Sequence, residues 1–171
     1  MIFEDLITEN KDAFLQKVTD VCSDLGIDPN WLMLCMWIES RLNSRARNSS
    51  SGATGLIQFM PVTALSLGTT TEELAAMSNV DQMDYVYKYL ESYQWKMTSF
   101  VDVYFAIFFP RAIGKDPSYV LQTSSIAAST IARQNSGYDL NSDGQVTVAE
   151  VEAKILSFVP AGQEDLFKKK T

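Results

Sequence analysis

The sequence predicts a single, mainly α-helical domain with little or no sheet. Three observations lead there. The chain has 171 residues, enough for one domain with its own core. Apolar residues recur at helical spacing nearly throughout, and no alternating stretch of useful length reads as a strand. Capping and helix-breaking residues fall where those patterns begin and end.

The first helix carries a stripe of Phe14, Val18, Val21, Cys22 and Leu25, all on one face at helical spacing. Gly26 ends it. Asp28 and Pro29 open the next helix as cap and first-turn proline. Residues 31–38 are apolar on every side, which predicts a central buried helix. Residues 41–54 are rich in Ser, Asn and Gly and read as a loop. Pro61 starts a short helix that Gly68 stops. Thr70-x-x-Glu73 reads as a capping box. Asn79 is the expected cap of the helix carrying Met83, Val86, Tyr87 and Leu90. Ser99 is the expected cap of an apolar helix that stops at Pro110. Residues 110–119 form a connector, and a last helix pair flanks Asp139–Glu150. Lys168, Lys169 and Lys170 read as a frayed tail. There is no repeat, low-complexity linker or composition break, so residues 1–171 read as one domain.

Composition excludes several function classes. An apolar content of 46% with 20% charged residues describes an ordinary soluble globule. The net charge of −7 argues against nucleic acid, which needs a basic face. It also opposes bulk attraction to any anionic polymer, so such a substrate must be bound in a cleft. The chain has 0 histidines. Ser-His-Asp and Cys-His catalysis, HExxH zinc proteases and the usual His-containing catalytic zinc sites are therefore unavailable. Carboxylate-only glycoside chemistry remains open. The acidic residues 1–10 lack the apolar core of a signal peptide, and no stretch reaches the ~20 apolar residues of a membrane span. Export, on this expectation, uses a route other than a signal peptide. Cys22 and Cys35 fall at apolar helix positions and read as free buried thiols, with no CxxC motif.

Glu39 stands out against this background. It ends the apolar run 31–38 and opens Glu39-Ser40-x-x-Asn43. A carboxyl group at the end of a buried helix is expensive to ionise, which favours its neutral form and suits a general acid. Shortly after comes Gly52-Ala53-x-Gly55-Leu56-Ile57-Gln58-x-Met60-Pro61. Gly55 and its neighbours let backbone approach a ligand, and Gln58 adds a neutral donor and acceptor. A hydrolase with two catalytic carboxylates needs a second acid, and no Asp or Glu lies between Glu39 and Glu72. Asp81, Asp84 and Asp102 are the acids left to fold back toward it.

The spaced pair of motifs is similar to the signature of the soluble lytic transglycosylases, a family of the lysozyme superfamily that cleaves peptidoglycan glycan strands. Segments around Ser66-Leu67-Gly68-Thr69, Asp81–Val86, Asp102–Tyr104 and Arg133-Gln134-Asn135 resemble a phage-borne branch, so the resemblance spans roughly residues 20–158. It implies a compact, mainly helical lysozyme-like fold. It implies cleavage of the β-1,4 bond between N-acetylmuramic acid and N-acetylglucosamine with Glu39 as the single acid and base. In that family the glutamate protonates the glycosidic oxygen, then takes the proton of the sugar's own C6 hydroxyl as a 1,6-anhydro ring closes. Ser49 matches a serine near the reactive carbon, with Ser50 the alternative, because one extra residue separates Asn43 from Gly52. Gln58 is expected to hydrogen-bond the sugar or orient the catalytic loop, and Met60 and Pro61 to pack beneath or wall the cleft. The family's tyrosine after the long helix is absent from Ala106–Pro110, and Tyr104 is either its substitute or a core tyrosine. Tyr85, Tyr87, Tyr89 and Tyr93 are expected to divide between core and cleft wall.

A second constellation matches the EF-hand loop pattern at every specified position. Asp139, Asn141 and Asp143 supply side-chain oxygens, Gln145 a backbone carbonyl, Thr147 the ninth position and Glu150 a bidentate carboxylate, with Gly144 at the sharp turn. With no second such loop, structural Ca2+ is the expected role, with a vestigial loop as the alternative. No cofactor is expected for catalysis. The sequence thus points to a phage endolysin or virion-associated lysin, monomeric as an isolated domain. Its expected partner is peptidoglycan, with phage virion proteins as further candidates and neither nucleic acid nor membrane insertion expected. The chain is expected to be made in the host cytoplasm and to act on the cell wall. A hydrolytic muramidase, a catalytically idle peptidoglycan-binding or structural virion module, and a calcium-regulated interaction protein are the alternatives.

Overall fold

A computed structural model describes residues 1–168; Lys169 and Lys170 of the lysine tail, with Thr171, lie outside the described residues. The fold is mainly α, with isolated β-bridges and no named strand among the described residues. The chain folds as two compact units, Met1–Trp95 and Lys96–Thr171. Among the described residues no helix is long and apolar enough to cross a membrane.

The first unit holds α1 (Lys11–Leu25), α2 (Pro29–Ser40), α3 (Pro61–Ser66), α4 (Thr71–Ala76) and α5 (Asn79–Leu90). The expected stripe of α1 is buried in full, and α1 packs on α2 and α5. Gly26 ends α1 in the left-handed region at φ 70°. Asp28 accepts from the Asn30 amide at the start of α2, with Pro29 in the first turn. Residues 31–36 are buried, whereas Trp37, Ile38 and Glu39 are half-buried, so α2 leaves the core in its last turn. The Thr70–Glu73 capping box forms as expected. The cap of α5 is Ser78 rather than Asn79. Asn79 is instead the first helical residue and is buried: its amide donates to the Glu9 carbonyl and its Oδ1 accepts from Asn10. A buried amide satisfied by the N-terminal segment leaves the adjacent serine hydroxyl to cap the helix.

One buried side chain organises the loops between α2 and α5. Gln82 on α5 is fully buried. Its Oε1 accepts from the Leu56 amide at 2.6 Å, and its Nε2 donates to the carbonyls of Ser44 and Leu74 at 2.9 and 2.8 Å. The hydroxyl of Ser40, the last residue of α2, faces the Leu56 carbonyl at 2.9 Å and the Met36 carbonyl at the same distance. Leu56 is therefore gripped through its carbonyl by α2 and through its amide by α5. Gly55 is required beside it. Its φ is +86°, and a Cβ there would lie 2.4 Å from Gln82 Oε1.

The second unit holds α6 (Phe100–Phe108), α7 (Ala128–Gln134) and α8 (Val148–Leu156). Ser99 caps α6 as expected. A 3-10 turn at Pro110–Ala112 packs on α6. Asp102 is buried and fully used within this unit: Oδ2 accepts from the Thr98 amide and from the Thr98 and Ser99 hydroxyls, and Oδ1 from the Gly114 amide. Tyr104 is buried, stacks on Phe108 with ring centroids 5.5 Å apart, and pairs its hydroxyl with that of Tyr138.

Replacing Gln82 by Ala strands one amide and two carbonyls, each costing about 1–3 kcal/mol when buried. Urea unfolding should show a loss of about 3–5 kcal/mol. A loss below about 1 kcal/mol would mean that water or neighbouring groups replace the clamp. Cys22 and Cys35 are both free and buried. Burial, then the nearby Asp28 carboxylate, pushes the Cys22 thiol up to about 12. Burial, then the charges of Glu39 and Cys22, pushes Cys35 up as well. Both thiols should resist a thiol reagent at pH 8 in the native protein and titrate as two in non-reducing denaturant. A count near zero would reveal a bridge.

Candidate active site

The site grows from the way α2 ends. Arg41 and Leu42 both sit in the left-handed region, at φ 56° and 61°. This conformation is costly for residues with a Cβ, so something must hold it. The amides of Arg41 and Leu42 return to the carbonyls of Trp37 and Met36, the Leu42 side chain is buried, and the Arg41 guanidinium lies 3.8 Å from the centre of the Trp37 ring. Arg41 Nη1 also donates to the Trp37 carbonyl at 2.7 Å. The sharp exit leaves Glu39 in the last turn of the helix while the chain doubles back as the 43–54 loop.

That loop is fastened by its own polar groups. Asn48 Oδ1 accepts from the amides of Ser50 and Ser51, and the Asn48 and Gly52 amides close the turn on the Ala53 and Asn48 carbonyls. Single bridges join Arg47 to Thr54 and Thr54 to Phe59. Gln58 adopts φ 55°, and its Nε2 donates to the carbonyls of Gly55 at 3.1 Å and Ala46 at 3.3 Å. Its amide thus orients the loop, which is one of the two expected roles. Arg47 pairs with Glu72 at 2.9 Å and ties the loop to α4.

These constraints shape an open groove of about 370 Å3 whose lining includes Glu39, Arg41, Arg47, Asn48 and Gln58. Two residues chosen from sequence, Glu39 and Gln58, therefore meet in one groove. Gly55 lies buried beneath, serving the Gln82 clamp. Ser49 and Ser50 are exposed at the tip of the turn and are not among the groove's lining residues; Asn48 is. Met60 and Pro61 are exposed at the start of α3 and do not line it either. Tyr85, Tyr87, Tyr89 and Tyr93 are all half-buried, with Tyr89 edge-on to Phe59. Tyr104 belongs to the second unit. Among the described residues lining the groove, Glu39 is the one carboxylate. Asp84 is paired with Lys17 at 2.6 Å, and Asp81 accepts from the capping Ser78 hydroxyl. Gln82, Arg41, Arg47 and Asn48 escaped sequence reasoning. For Arg41 and Asn48 the signal was their place directly beside the Glu39 and Ser49 motif positions.

The 139–150 loop lies in the second unit. Its turn uses φ 60° at Ser142 and 80° at Gly144. Asp139 accepts from the amides of Asp143 and Gly144, Asn141 Oδ1 from that of Asp143, and Asp143 from that of Gln145. Thr147 and Glu150 form a capping box at the start of α8, and Glu150 Oε1 also accepts from the Leu140 amide. Burial works against the Glu150 carboxylate, yet the Thr147 hydroxyl and the Thr147, Asn141 and Leu140 amides hold its pKa below the usual value. Val146 is buried, and the Val146–Val148 segment pairs with Tyr119–Leu121 through a bridge and flanking hydrogen bonds. Among the described residues no group of three or more His, Cys, Asp or Glu side chains is gathered as a metal site. The carboxylates turn to the loop's amides instead. The donor set, all oxygens around a glycine turn, nevertheless fits a hard divalent cation in chemistry.

Against known proteins, residues 22–106 match the family model described as Transglycosylase SLT domain. No curated protein and no solved structure matches the chain. The matched stretch contains both motif segments, the whole of α2 through α5 and all the residues lining the Glu39 groove. Over residues 22–106, then, the chain matches the model of a transglycosylase SLT domain, of the lysozyme-like superfamily.

Proposed function

We propose that the chain is a peptidoglycan lytic transglycosylase that cleaves the β-1,4 bond between N-acetylmuramic acid and N-acetylglucosamine. The observation that carries this reading is Glu39, half-buried at the end of α2 as the one carboxylate among the described lining of a groove built from both motif segments. The protonated carboxyl gives its proton to the glycosidic oxygen as the bond from that oxygen to the muramic C1 breaks. The resulting carboxylate then takes the proton of the muramic C6 hydroxyl as O6 bonds to C1. Glu39 ends protonated again, and no water is consumed. The loop held by Gln58 and Asn48 positions the sugar, since small errors in placement cost rate steeply. The immobilisation of Asp81, Asp84 and Asp102 in other contacts supports a single-acid mechanism over a water-activating pair. The phage-like segments support a role as endolysin or virion-associated lysin, acting on the bacterial wall.

We propose further that the loop from Asp139 to Glu150 takes a structural calcium ion through Asp139, Asn141, Asp143, the Gln145 carbonyl, Thr147 and Glu150. The ion would offset the mutual repulsion of three carboxylates and tie α8 to its preceding turn. The bridge from Val120 to Thr147 pairs the loop with the 119–121 segment.

Glu39→Gln should abolish wall digestion with the fold intact, because general acid–base catalysis alone is worth about 10²–10⁴-fold. Retention of more than about a tenth of the rate would remove Glu39 from the acid's role. Digestion in heavy-oxygen water should yield unlabelled 1,6-anhydro ends; dominant label in reducing ends would establish a muramidase instead. Calcium at ~100 times its dissociation constant should stabilise the fold by about 2.7 kcal/mol. At about 2–4 °C per kcal/mol, the melting midpoint should rise roughly 5–10 °C, and Glu150→Ala should erase most of the rise. Identical melting curves in calcium and chelator would show the loop to be vestigial.

A further inference from the structure

Two openings of the first unit meet at one side chain, Arg41. It lines the groove that holds Glu39, and it also lines a separate, polar cavity of about 340 Å3 that includes Thr8, Glu9, Asn43 and Ser44. Three arginines follow Glu39 closely: Arg41, Arg45 and Arg47. Two are neutralised, Arg45 by Glu9 at 3.1 Å and Arg47 by Glu72 at 2.9 Å. Arg41 has no carboxylate partner among the described residues. It is nonetheless fixed, by the Trp37 ring 3.8 Å below it and by the Trp37 carbonyl at 2.7 Å. The outcome is a planar cation, held by an aromatic face, on a residue that lines both groove and cavity. A guanidinium preorganised in this way binds carboxylate as a fork.

Where a peptide stem is attached, the lactyl carboxyl of the sugar is taken up in an amide, so the free carboxylates of the strand sit on the stems; a sugar without a stem keeps its lactyl carboxylate. The chain's net charge of −7 opposes such a substrate, so a local cation has to compensate where the stem leaves the sugar. Resting on the reading of the Glu39 groove as a glycan site, we propose that Arg41 binds a carboxylate of the peptide stem and that the adjoining polar cavity receives the stem. The chain then selects glycan strands that carry acidic peptides over bare strands. The cavity's lining is mainly polar, with Thr8, Asn43 and Ser44 beside the Glu9–Arg45 pair, and so suits peptide backbone rather than an apolar ligand.

The test compares kcat/KM on three substrates: strands whose stems have free carboxylates, the same strands with those carboxylates amidated, and strands stripped of peptide whose exposed lactyl carboxylates are amidated. Wild-type protein should favour the free-carboxylate strands by about tenfold to a hundredfold, the worth of a charge-assisted hydrogen bond. Arg41→Gln should bring the three values together, and Arg41→Lys should keep part of the preference, retaining charge but not the fork. Equal wild-type values, or a preference that survives in Arg41→Gln, overturns the proposal while leaving the glycan reading intact. Should the variants melt early, the wild-type comparison of free with amidated stems decides alone. If the wild type cleaves none of the three, the glycan reading itself fails and the proposal with it.

Discussion

The grip of Gln82 on the Leu56 peptide is the interaction on which the rest of the first unit depends. Each end of its amide is used, and each use lands on a different segment: Leu56 from the Gly-rich stretch, Ser44 from the loop after α2, Leu74 from α4. Ser40 reaches the other side of Leu56 from the end of α2. The residue directly after Glu39 and a side chain 26 residues beyond Leu56 thus meet at a single residue. A catalytic carboxyl needs placement within a fraction of an ångström, and such precision comes from buried, fully satisfied hydrogen bonds rather than from exposed loops. Gly55 is part of the same device, because only a residue without a Cβ leaves room for the Gln82 amide.

Around this anchor the backbone is bent against its preference. Arg41, Leu42 and Gln58 all occupy the left-handed region, and Arg41 and Gln58 line the groove. Conformations of that kind persist only when the surroundings over-determine them, and they concentrate at working sites. Here the determinants are visible: Trp37 beneath Arg41, the apolar core around Leu42, and the carbonyls of Gly55 and Ala46 for Gln58. The strain is stored in the segments that bring Gln58 and Arg41 to Glu39.

The second unit solves its own problem of buried polarity in parallel fashion. Asp102 collects four donors and closes the start of α6 onto the Gly114 turn. Thr147 and Glu150 serve two ends at once, completing an EF-hand pattern in the sequence and capping α8 in the structure. The cap alone accounts for that pair of residues. It leaves Asp139, Asn141 and Asp143 as the part of the pattern that the helix itself does not require.

By itself the sequence determined what is local or strongly patterned. The stripe of α1, the buried α2, the Asp28, Thr70 and Ser99 caps and the Gly26 stop all depend on neighbours within a few residues, so their periodicity and chemistry are legible in one dimension. Glu39 and Gln58 were legible because their spacing forms a motif. Asn79 was misread as a cap because its real partners, Glu9 and Asn10, lie some 70 residues away. Gln82 looked like an ordinary helical glutamine for the same reason, and Arg41 like a solvated charge. Which polar side chain is buried, which loop it holds and which cation is left without a carboxylate among the described residues are decided by contacts between distant segments. Burial converts those contacts from optional to obligatory, and only the tertiary structure displays them.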